Sequence, residues 1–121
     1  MSEPTPAAAA ASSGLAADRR AYVRIASDLS ATCAAADQRQ PGWPARVRDI
    51  SCGGVGLVLQ HRFRPGTTLT VELRDQSGRV LRTAQARVAH ATAVRDEAGQ
   101  RWLLGCAFDR PLTEEEFAAL A

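Results

Sequence analysis

Two short stretches gather side chains suited to holding an anion. Arg20-Ala21-Tyr22-Val23-Arg24 sets two guanidinium groups four residues apart, with Arg19 directly before them. Asp49-Ile50-Ser51-Cys52-Gly53-Gly54 combines a carboxylate, a hydroxyl and two residues without a side chain. A guanidinium is planar, permanently charged and forked, so it pairs bidentately with a phosphate or with the O6 and N7 acceptors of guanine. An ionised Asp only accepts, and it complements an edge that carries N–H donors. Ser51 can donate or accept. Gly53 and Gly54 permit positive φ and leave no Cβ, so backbone and ligand can approach closely, although an ordinary bulged corner uses the same pair.

The two patterns differ in information. All 15 basic residues are Arg, so a chain of this composition holds on the order of two R-x-x-x-R matches by chance, whereas D-x-S-x-x-G is expected only about 0.03 times. Arg19, Arg20 and Arg24 could by themselves be a solvated strand entry. Found together with the second pattern downstream, they define a candidate site.

The intervening sequence reads as strands that must bring the two patterns together. Residues 1–17 are rich in Ala, Ser and Pro and, after Met1, have Leu15 as the one bulky apolar side chain, which reads as a disordered tail before a folded domain over 18–121. A period of two runs from Tyr22 through Ile25, Leu29, Ala31, Cys33 and Ala35, with a bulge expected near Ser27. Ala45, Val47 and Ile50 start a second strand that breaks at Gly53 and Gly54, and Val55, Leu57 and Leu59 carry a third. Leu69, Val71 and Leu73 alternate next, followed by a hairpin at Asp75–Gly78. A fifth strand is expected over Val80–Ala91, a polar loop over Arg95–Gln100 and a sixth strand over Trp102–Phe108. Thr113 with Glu116 three residues on is a capping box, and Phe117 and Leu120 form a short apolar stripe. The pattern predicts an all-β antiparallel barrel of six strands with one C-terminal helix over an open end.

From about Asp18 to Ala121 the chain resembles the PilZ domain family. The resemblance rests on the Arg-Arg start, the Asp-Ile-Ser-Cys-Gly-Gly corner, Leu104-Gly105-Cys106-Ala107-Phe108 and the acidic-capped helix that follows. It implies a six-stranded PilZ-type barrel that binds cyclic di-GMP through Arg20, Arg24, Asp49, Ser51, Gly53 and Gly54. It further implies that Arg19 bears on whether one nucleotide or a stacked pair is bound. In this reading Asp49 takes the N1–H and N2–H donors of guanine, and the ligand orders Asp18–Arg24 so that an unidentified effector protein reads its presence. No catalysis, cofactor or metal is expected.

Other readings fit less of the sequence. A PilZ-like module that docks a partner without nucleotide has no use for both intact patterns. A small nucleic-acid-binding barrel needs aromatic platforms on a basic groove, but the chain has six aromatic residues and a formal charge of +2. His61 and His90 show no pairing with a nucleophile, and Trp43 and Trp102 are expected in packing, at the ligand site or on a partner surface. Cys33, Cys52 and Cys106 have neither CxxC spacing nor a His cluster, and are expected as buried thiols in a reducing cytoplasm. No stretch approaches the ~20 apolar residues of a membrane span.

Overall fold

The computed structural model describes residues 25–38 and 42–120. Seven strand segments, β1 (Ile25–Ala26), β2 (Ser30–Ala35), β3 (Trp43–Ile50), β4 (Gly54–Leu59), β5 (Thr68–Arg74), β6 (Val80–Asp96) and β7 (Gly99–Phe108), precede one helix, α1 (Glu114–Ala118). All pairings are antiparallel. The order β3-β2-β5-β6-β7-β4 returns to β3 through the β3–β4 pairing and closes the sheet. Closure satisfies the backbone donors and acceptors that an open edge would expose. Segments β1 and β2 flank the same edge of β3, Ala26 opposite Asp49 and Ser30 opposite Arg46. One extra residue therefore lies in the first strand around Ser27, whose hydroxyl accepts from the Leu29 amide at 3.0 Å. The six-stranded barrel and the expected bulge are both present.

Alternation decides the inside. Leu69, Val71 and Leu73 point inward on β5, Val55, Leu57 and Leu59 on β4, and Leu104, Cys106 and Phe108 on β7, all buried in one core with Val47, Ile50, Ala86 and Val88. Each fully buried aliphatic side chain contributes about 1.5–3 kcal/mol of transfer free energy. Cys33, Cys52 and Cys106 are buried, and no disulfide joins them. Burial pushes the Cys33 thiol up to about 12, with Cys106 nearby adding to the shift. Native protein is therefore expected to resist a thiol-specific reagent at neutral pH and to react at all three cysteines once denatured, because the thiolate is the reactive form. Rapid labelling of folded protein would contradict this packing.

Two turns are built by Asp. At the β5–β6 hairpin the Asp75 carboxylate accepts from the Ser77 hydroxyl at 2.7 Å and from the Ser77 and Arg79 amides at 2.9 and 3.0 Å. These bonds, the Ser77 hydroxyl first, hold its pKa below the ordinary carboxylate value. The polar stretch Arg95–Gln100 is not the loop that its composition suggests. Strands β6 and β7 run on to Asp96 and Gly99, which pair directly. Asp96 accepts from the Ala98 amide at 2.8 Å, and Gly99 supplies a φ of 114°. An Asp-capped two-residue turn with glycine at the left-handed position needs no longer connection.

The capping box forms as the sequence predicts. The Glu116 amide donates to Thr113 Oγ1 at 3.1 Å, and the Thr113 amide donates to Glu116 Oε1 at 2.9 Å. Glu116 also pairs with Arg82 of β6 at 3.0 Å. Leu112 and Leu120 are buried and Phe117 packs against the core, so the helix docks on one end of the barrel.

Candidate ligand site

Ser51–Gly53 turns the chain from β3 into β4. Ser51 is buried, and its Oγ accepts from the Gly53 and Gly54 amides, both at 3.2 Å, while its own amide donates to the Gly54 carbonyl at 2.9 Å. The hydroxyl thus shapes the corner from within. Outside bonds fasten it, since the Phe108 amide donates to the Gly53 carbonyl at 2.9 Å and the Leu112 amide to the Cys52 carbonyl at 2.8 Å. Ser51→Ala would strand two amides, one of them buried, and is expected to cost about 1–3 kcal/mol of unfolding free energy in a denaturant titration. An unaltered midpoint would mean that the corner is held without Ser51.

Of the two properties that suit glycine to this corner, the missing Cβ is the one used at Gly54. Positive φ occurs at Gly66, Gly78 and Gly99, and not at Gly53 or Gly54. A Cβ on Gly54 would instead collide with the Cys106 carbonyl of β7, because Gly54 pairs with Ala107 in close strand contact. The residue serves backbone approach rather than a left-handed conformation.

Asp49 reaches the outer surface through a bulge. Val47 and Ile50 are both buried, and the β3–β4 register slips between Val47 and Asp49, so Arg48 and Asp49 both face away from the core. Half-buried Asp49 lies over Gly56 of β4, its Oδ1 2.6 Å from where a Cβ would stand. A second bulge does the same on the other side. Val88 is buried, the register slips between Val88 and His90, and His90 faces out with its imidazole over Gly105 of β7. Sequence reading missed both bulges, Gly56 and His90. Their one signal, two outward positions in succession within an alternating strand, resembles ordinary irregularity until the pairing is known.

Arg19, Arg20 and Arg24 lie outside the described residues. Strand β1 begins at Ile25 opposite Ile50, so the chain that carries them joins the barrel beside the Asp49–Gly54 corner. Trp43 sits at the far end of β3, six residues from Asp49 or about 20 Å along an extended strand. It is 41% exposed and stacks on His61 at 4.4 Å, while Arg62 lies 5.4 Å from the centre of the Trp102 ring. These aromatics stand away from the corner. Among the described residues no cluster of His, Cys, Asp or Glu could hold a metal ion.

A closed six-stranded antiparallel barrel, with a Ser-braced glycine corner and a terminal helix against one end, defines a small β-barrel binding domain. The PilZ domain family model matches residues 18–121, and the chain belongs to that family, a family of cyclic di-GMP receptors rather than enzymes. Among solved structures it is similar to the Bacillus subtilis inhibitor of motility MotI/DgrA (19% identity, TM-score 0.59), covering 82% of this chain and 46% of that one. It is also similar to K. pneumonia MrkH in its apo state (15% identity, TM-score 0.59, 80% of this chain and 46% of that one). The PilZ domain of YcgR from Escherichia coli, solved with c-di-GMP, is 20% identical with a TM-score of 0.57, over 84% of this chain and 86% of that one. The chain thus spans just under half the length of MotI and MrkH. No curated protein sequence matches it.

Proposed function

We propose that this chain is a cyclic di-GMP receptor that changes conformation on binding and signals to a protein partner. The observation that carries the reading is the placement of Asp49. A bulge aims it outward beside the corner, at the point where the chain bearing Arg20 and Arg24 joins β3. An acceptor for guanine N–H groups then stands where the segment whose cations suit phosphates enters the barrel. The family supports the ligand, and the YcgR domain is a relative solved with it. Ser51, Gly53 and Gly54 contribute the shape of the corner.

Nucleotide phosphates draw the arginine segment onto the corner, and an effector protein reads the joint surface. Binding of this kind shifts a conformational equilibrium because the ligand favours the assembled state. Trypsin cleavage at Arg19, Arg20 and Arg24 should then slow on addition of nucleotide. No helix among the described residues is long and apolar enough to cross a membrane, and we place the protein's action in the cytoplasm, where the nucleotide would be met. The deciding experiment is a calorimetric titration with cyclic di-GMP, with GTP and cyclic di-AMP as controls. Saturable binding of cyclic di-GMP alone is expected; no binding would favour a module that docks its partner without nucleotide, a role that the exposed Trp43–His61 stack could serve. The same titration reads stoichiometry. If Arg19 clamps a second nucleotide, the parent protein binds two per chain and Arg19→Leu moves the ratio toward one, whereas a parental ratio of one removes that role.

A further inference from the structure

Asp49, Gly56, Gly105 and His90 stand in one register row across four adjacent strands, β3, β4, β7 and β6. All four lie on the outer face, and the two side chains lean inward over the two glycines from opposite sides. The row before it runs Gly54, Ala107 and Arg87, and the row after it runs Arg46, Val58, Leu103 and Thr92. The outer face of β4 and β7 is therefore a trough floored by Gly54, Gly56, Gly105, Ala107, Val58 and Leu103. Its banks are polar, Asp49 with Arg46 on β3 and His90 with Arg87 and Thr92 on β6. Two separate bulges are needed to face Asp49 and His90 into it. A glycine inside a strand marks a place where another group lies close to the backbone, and bulges re-aim side chains next to binding sites.

Within the central row the two ends are chemically opposite, while the next row adds the Arg46 guanidinium on β3 and the Thr92 hydroxyl on β6. Asp49 only accepts hydrogen bonds when ionised, Arg87 only donates, and the Nε2 end of His90 lies over Gly105, where it can donate. Among the described residues His90 and Arg87 show no hydrogen bond or ion pair. A flat apolar floor between the Asp49 acceptor and the His90 donor matches a planar base with donors on one edge and acceptors on another. Guanine is such a base, with N1–H and N2–H donors on one side and the N7 and O6 acceptors on the other. The bank backbones are three strand spacings apart, about 14 Å, which accommodates a purine with a hydrogen bond at each edge once the two side chains rotate off the glycines.

We infer that His90 is a further base-reading residue of this site, donating from Nε2 to the N7/O6 edge of a guanine whose N–H edge is held by Asp49. The inference rests on the receptor reading above and adds the far bank to it. It makes affinity depend on an atom of the base, N7, that the Asp49 side of the site does not touch.

The test compares cyclic di-GMP with its 7-deazaguanine analogue, which lacks the N7 acceptor, on the parent protein, His90→Ala and His90→Gln. Thermal unfolding of each variant confirms the fold, which exposed His90 should not disturb. The parent should bind cyclic di-GMP roughly tenfold more tightly than the analogue, the size expected for one lost hydrogen bond at a desolvated edge. His90→Ala should weaken cyclic di-GMP binding by about the same factor and bind both ligands alike. His90→Gln, whose amide can still donate, should recover part of the preference for the parent ligand. Parent protein that binds neither ligand overturns the receptor reading, and the far bank with it. Parent protein that binds cyclic di-GMP while His90→Ala retains full affinity, or retains the preference over the analogue, overturns the role of His90 alone.

Discussion

Asp49→Ala is expected to bind cyclic di-GMP about 10- to 150-fold more weakly than the parent protein, with the barrel still folded. The figure follows from losing a hydrogen bond with a charged partner, worth about 1.5–3 kcal/mol. Asp49 faces outward from a bulge rather than into the core, and its neighbour Ile50 supplies the buried contact at this point of β3. Arg20→Ala and Arg24→Ala should lose affinity by similar factors through the phosphates. Asp49→Asn separates charge from shape. Its amide keeps one acceptor but turns a donor toward guanine donors, so it should bind nearly as poorly as the alanine variant. Parental affinity in both arginine variants, measured by calorimetry, would sink the assignment.

The largest effect on stability is expected from Leu57→Ala. Leu57 is wholly buried on the inner face of β4, opposite Val47 of β3 and Leu104 of β7, which are wholly buried too. Three paired strands meet at this point, so the surroundings cannot collapse into the space without parting a closed sheet. Removing three carbon atoms there should cost about 2–5 kcal/mol through lost transfer free energy and the cavity left behind. For a domain of this size each kcal/mol lowers the melting temperature by about 4–8 °C, giving a drop of roughly 8–40 °C in a thermal scan. Because Leu57 points away from the outer face, affinity for cyclic di-GMP well below the new melting temperature should match the parent. A melting temperature within a few degrees of the parent would show that the core is not packed this way.

Much of the architecture is determined by local pattern. The period of two in Leu69, Val71 and Leu73 makes a strand with one apolar face wherever it is placed, and Thr113 with Glu116 can close a capping box from covalent spacing alone. Asp49 to Gly54 is similarly legible, since its residue types and spacing are improbable by chance and a glycine pair after a strand breaks it. Local pattern failed where the outcome depends on a neighbouring strand. Arg95–Gln100 has the polarity of a loop, yet β6 and β7 pair through most of it, because a ladder extends as far as both strands supply partners. Gly54 was legible as a glycine corner, but its reason was not, since the Cys106 carbonyl that forbids a Cβ lies more than fifty residues away in sequence. Likewise nothing local links Asp49 to His90. Only the closed order of strands places β3, β4, β7 and β6 side by side, and only the bulges at Arg48 and Ala89 turn both side chains outward in one row. Sequence alone thus determined most of the strands and their apolar faces, and it named the candidate binding residues. Register, set by pairing between distant segments, decided which of those residues share a surface.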